Sequence, residues 1–120
     1  MRRTGPTNAY LRRLIGYLRK KARENEAPIW YTVAENLEKP ARIRPEVNVS
    51  RINRYTSPGD IVVVPGKVLG SGVLKHQVVI AAFSFTKKAR EKIENAGGKV
   101  LTIPQLIKEN PRGKGVRIVC

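Results

Sequence analysis

The sequence predicts an α/β fold in which a helical N-terminal extension leads into a compact C-terminal part of short strands and helices. Three observations carry this. Apolar residues recur at spacings of three and four in the first third of the chain. After Asp60 they gather instead into short β-branched runs, Ile61 to Val64 and Val78 to Phe83. Turn residues rich in glycine and proline flank these runs. The 120 residues fit one domain, with a basic helical and extended region over 1–55 and an α/β core over 56–120. Apolar residues make up 41% of the chain, enough for a modest core.

From Asn8 to Glu24, Leu11, Leu14, Ile15, Leu18 and Ala22 share one helical face, with Thr7 or Asn8 available as the cap. Arg12, Arg13, Arg19, Lys20 and Arg23 fall on an arc roughly opposite, with Gly16 in its middle. A second helix runs from Ala27 to Lys39 with Pro28 in its first turn and Trp30, Val33, Ala34 and Leu37 inward; Pro40 stops it. Ala41 to Tyr55 reads as an extended basic connector with a short strand or helical turn around Val47 to Asn53.

Beyond Asp60 the two apolar runs read as buried strands, and Ser57-Pro58-Gly59, Pro65-Gly66 and Gly70-Ser71-Gly72 as the turns around them. Thr86 caps a helix that turns Ala89, Ile93 and Ala96 inward and that Gly97-Gly98 ends. Lys99 to Thr102 is a strand, and Thr102 with Gln105 has capping-box spacing for a last short helix through Asn110. Val116 to Val119 is a final strand.

Catalytic chemistry has little to work with. His76 is the only histidine available for acid–base or nucleophilic chemistry, and it reads as a solvated turn residue in preference to a phosphate or base contact. His76 and Cys120 together fall short of the four ligands a structural zinc needs, so no metal and no cofactor are expected. Gly66-Lys67 lacks the flanking residues of a phosphate loop, because Ile61 and Val68 stand where that motif needs glycine and Ser or Thr. Glu91 and Glu94, among Lys87, Lys88, Arg90 and Lys92, are expected to form ordinary surface ion pairs. An enzyme or a small-molecule substrate is therefore not expected. No apolar run approaches the roughly 20 residues of a membrane span, and the N-terminus lacks a signal-peptide centre. The chain is expected to stay in the reducing compartment where it is made, a site that a single cysteine also fits.

Charge gives the positive signal. The chain holds 24 Lys plus Arg against 9 Asp plus Glu, a formal charge of +15. Residues 1–23 contain eight bases and no acid, whereas a merely soluble helix intersperses both signs. Of the 13 basic residues in the first 54, ten are arginine, whose planar fork suits bidentate phosphate contact. The expected contacts are the terminal pair Arg2 and Arg3; a first face of Arg12, Arg13, Arg19, Lys20 and Arg23; and a second face of Arg42, Arg44, Arg51 and Arg54. Lys67, Lys75, Arg112, Lys114 and Arg117 are weaker candidates. Asn48, Asn53 and Tyr55 pair with or stack on bases in one reading and are structural in the other. The Asn110 to Gly115 tract is read as basic and glycine-rich, able to follow a nucleic-acid backbone or to be a flexible exposed loop. Charge alone does not separate RNA from DNA, and a chromatin-like DNA binder and an RNA-acting enzyme are the competing readings.

The segment Ser84 to Lys99, with Ala96-Gly97-Gly98-Lys99 at its end and Leu101-Thr102 after it, resembles the shared segment of the ribosomal fifteen and eighteen-e protein family. Asn48 to Tyr55, Val63 to Gly70 and the opening Pro6-Thr7-Asn8 resemble its archaeal eighteen-e branch, so the likeness runs over essentially the whole chain. This resemblance implies a C-terminal part wound as an irregular superhelix of strand-strand-helix turns and a helical N-terminus reaching into RNA. It further implies a structural, non-enzymatic constituent of the large ribosomal subunit, cytoplasmic and within ribosomes. Its implied partners are large-subunit rRNA and neighbouring ribosomal proteins.

Overall fold

The computed structural model describes residues 8–120. Its elements in chain order are α1 (Ala9–Glu24), α2 (Pro28–Leu37), a 3-10 turn (Ala41–Ile43), β1 (Glu46–Asn48), α3 (Val49–Tyr55), β2 (Ile61–Leu69), β3 (Val79–Phe85), α4 (Lys87–Asn95), β4 (Lys99–Thr102), α5 (Ile103–Glu109) and β5 (Val116–Ile118). The helical N-terminal part and the α/β C-terminal part are both present.

The strands form one parallel sheet in the order β1-β2-β3-β4, with β5 also paired to β2. A parallel sheet buried on both faces needs nearly continuous apolar strands, as β2 and β3 have. Alternate residues serve opposite sides. Val63, Ala81 and Leu101 face a core shared with α1, α2 and α5, while Val62, Val64, Ile80 and Ala82 face one shared with α3 and α4. The winding explains this division. From β1 through β4 the chain moves across the sheet in one direction, with α3, the loop bearing buried Leu74, and α4 all on one face. The return from β4 to β5 reverses direction, and crossovers of one hand then place α5 on the other face. Helices α1 and α2 complete the α5 layer. Trp30, fully buried, donates its indole N–H to the Pro111 carbonyl at 2.8 Å, fastening α2 to the loop after α5.

Local signals decide the helix ends. Asn8 Oδ1 accepts the Leu11 N–H, Thr86 Oγ1 accepts the Ala89 N–H, and the Thr102–Gln105 capping box forms in both directions. Gly97, at φ +84°, takes the left-handed conformation that ends α4. Between α1 and α2 the same position is filled by Glu26 at φ 51°, and the Ala27 N–H reaches the Ala22 carbonyl in a Schellman closure.

Two expectations change. Pro65-Gly66 is not a turn: β2 runs on through it to Leu69, with a register shift between Val64 and Lys67. The interruption marks the point where β2 changes partners, because β5 pairs with Ile61–Val63 and β1 with Lys67–Leu69 along the same edge. There the Lys67 N–H reaches the Pro45 carbonyl, and a Cβ on Gly66 would lie 2.0 Å from that oxygen. Proline, which lacks an N–H, is tolerated at such a bulge. The connector is also more structured than read: its short strand and its helical turn both form, in succession, as β1 and α3.

Candidate nucleic-acid interface

On α1 the apolar and cationic faces separate as the period requires. Leu11, Leu14, Ile15, Leu18 and Ala22 are buried, while Arg12, Arg13, Lys20 and Arg23 are exposed. Nothing lies within 4 Å of a Cβ built on Gly16, so the middle of this arc is open and low. Arg19 is partly drawn away, pairing with Glu38 of the α2 cap at 2.5 Å, and Lys20 lies 4.0 Å from Glu24. These surface pairs are worth at most about 1 kcal/mol each and leave the arc strongly positive. Arg2 and Arg3 lie outside the described residues.

The second predicted group is divided by the fold. Arg42 is exposed on the 3-10 turn; Arg44, half-buried, donates to the Lys39 carbonyl at 3.1 Å and lines a shallow depression with Glu46, Lys67 and Ser84. Arg51 and Arg54 stand on α3, where they meet Arg117 of β5 around Tyr55. The Arg51 and Arg54 guanidinium carbons lie 5.3 and 5.9 Å from the Tyr55 ring centre. Arg51 Nε donates to the Cys120 carbonyl at 3.1 Å. Arg117 donates to the Tyr55 carbonyl at 3.3 Å and pairs with Asp60 at 3.6 Å. Nothing in local sequence links Arg117 to Tyr55.

The remaining candidates are placed by loops. Lys75 is exposed and its backbone N–H is held by Asn53 Oδ1; Asn48 Oδ1 accepts the Ser71 N–H. Both asparagine oxygens therefore work inside the fold. His76 meets Thr56 Oγ1 at 2.8 Å, and because that hydroxyl donates its one proton to the Ile52 carbonyl, it accepts from His76 Nε2. The imidazole ties the end of α3 to the loop before β3. Arg112 and Lys114 are exposed on a turn that is firmly held: Asn110 bonds Lys114 in both directions and Trp30 holds Pro111.

The ion pairs expected of Glu91 and Glu94 do not form among the described residues. Instead Lys92 Nζ donates to the Gly72 carbonyl at 2.5 Å and Arg90 lies 5.8 Å from the Phe85 ring centre. Lys88 and Lys92 thereby line a depression with Asn48 and Gly70-Ser71-Gly72, a basic spot the sequence reading passed over. Its only linear signal was a pair of lysines four residues apart. No group of three or more His, Cys, Asp or Glu able to hold a metal occurs among the described residues, and no helix there is long and apolar enough to cross a membrane.

Residues 1–119 match the family described as ribosomal protein 60S L18 and 50S L18e. The large ribosomal subunit protein eL18 of Pyrobaculum aerophilum is 54% identical, over 97% of this chain and 95% of its own length. That of Methanococcus maripaludis is 51% identical, over 99% of both, and that of Archaeoglobus fulgidus 50% identical over the same shares. With the match spanning both the cationic helix and the sheet, the chain belongs to the ribosomal protein 60S L18 and 50S L18e family.

Proposed function

We propose that this chain binds and stabilises folded large-subunit rRNA through its basic helical and connecting segments. It is a structural constituent of the large ribosomal subunit, works within cytoplasmic ribosomes and is not an enzyme. The α1 arc of Arg12, Arg13, Arg19, Lys20 and Arg23 forms one phosphate-binding face. Arg51, Arg54 and Arg117 form a second, and Arg42, Arg44, Lys67, Lys75, Arg112 and Lys114 add outlying contacts. Arg2 and Arg3, outside the described residues, are further candidate contacts. The 120 residues act as one ribosomal protein domain in which 1–55 supply most RNA contacts and 56–120 the α/β core. Neighbouring large-subunit proteins complete its surroundings.

The observation that carries this reading is segregation of charge: one face of α1 is cationic and open at Gly16, and it keeps more bases than nearby acids, in a chain of formal charge +15. Such a surface repels itself in isolation and is relieved by a polyanion. Binding of the purified chain to large-subunit rRNA, measured against salt, tests it. Affinity is expected to fall with a log–log slope of roughly 0.7 to 0.9 per phosphate contact. Structured rRNA is expected to outcompete duplex DNA at one fixed salt concentration. Salt-insensitive binding, equal affinity for duplex DNA, or failure to co-purify with large subunits rejects it.

A further inference from the structure

The Arg51–Tyr55–Arg117 hollow differs in kind from the α1 arc. It is concave, about 490 Å³ in volume, and lined by Arg51, Tyr55, Arg117, Ile118, Val119 and Cys120. Tyr55 is 51% exposed, its hydroxyl makes no hydrogen bond among the described residues, and two guanidinium groups flank its ring within 6 Å. An exposed aromatic ring set among guanidinium groups is a surface on which a base can stack. Arg51 and Arg117 are each steadied by one backbone carbonyl, and Arg117 also by Asp60. A guanidinium has five N–H donors, so both keep donors for a further anion.

A duplex backbone requires cations but no aromatic, because its base faces are already stacked. A carboxylate-rich peptide would satisfy the arginines but offers no flat face to the ring. A nucleotide that has left its stack supplies both: a planar base for the tyrosine or the outer plane of a guanidinium, and a phosphate for the forks.

We propose that this hollow seats one unpaired nucleotide, its base stacked on the Tyr55–arginine group and its phosphate held by Arg51 and Arg117. The proposal rests on the RNA-binding reading above and makes it specific: α1 follows phosphates, and the hollow takes a base.

The test uses the full chain, a short single-stranded RNA carrying one 2-aminopurine, and the same strand annealed into a duplex. Quenching of 2-aminopurine on the single strand is expected. Tyr55→Ala is expected to weaken single-strand binding by about 5- to 100-fold, as loss of one aromatic stack does. The single-strand salt slope stays unchanged, since no charge is removed. Tyr55→Phe restores both quench and affinity because the hydroxyl is unused. Arg117→Gln, which keeps the ring, lowers the single-strand slope by about 0.7. Near-ultraviolet and thermal controls on each variant separate loss of contact from loss of fold. Absence of quenching by the wild type, an equal loss on duplex and single strand in Tyr55→Ala, or displacement of the RNA by polyglutamate at matched charge overturns the proposal. Failure of the wild type to bind either RNA form overturns the RNA-binding reading with it; binding to duplex alone removes only the nucleotide seat.

Discussion

The α1 arc and the Tyr55 hollow are both arginine-rich, yet they are built in opposite ways. The arc is a local object: five basic side chains on one helix, placed by the 3.6-residue period and held out because the other face is buried. The hollow draws on α3 and on β5, and it exists only when β5 has joined β2. The arc therefore depends on one helix and its seat, and the hollow on the whole sheet. A surface that only needs charge is made from a helix face; one that needs shape as well as charge is made where distant segments converge.

That difference is open to direct attack. Trp30→Ala removes a fully buried side chain and the bond to Pro111, and is expected to cost about 3 to 5 kcal/mol in urea unfolding. A single transition that removes arc and hollow together is expected, since α1, α2 and the sheet share a core. Separate loss of α1 would make the arc an appendage. Gly66→Ala places a Cβ against the Pro45 carbonyl and is expected to cost about 1 to 3 kcal/mol. Amide exchange should then quicken in β1 and α3 while α1 stays protected, separating the two regions. Replacing Arg13 and Arg23 by Gln should leave stability within about 0.5 kcal/mol, as both are exposed. The same pair should lower the salt slope of rRNA binding by about 1.4 to 1.8. Glu26→Gly, which relieves a left-handed residue between α1 and α2, should raise stability by up to about 1 kcal/mol in the same unfolding assay.

What was legible in the sequence follows the same line. Helix α1, the Thr86 and Thr102 caps and the Gly97 stop involve residues three or four apart, and the structure repeats them. Pro65-Gly66 carries the local grammar of a turn, but the reason for the glycine is the Pro45 carbonyl arriving from another strand. Glu91 and Glu94 had suitably spaced lysines, yet Lys92 found the Gly72 carbonyl, a partner 20 residues away. Arg51 and Arg54 could be named as basic, but their convergence with Arg117 depends on a contact spanning 62 residues. Residue type marks which side chains can meet a phosphate; only topology says which of them meet each other.

The shared edge of β2 bears on how the chain comes off the ribosome. Its C-terminal half is paired as soon as β2 follows β1, but the half at Ile61–Val63 waits for Val116–Ile118. During synthesis that stretch of apolar backbone stays open to any other strand. The sheet is therefore complete only once Val116–Ile118, the last strand in the chain, has joined β2.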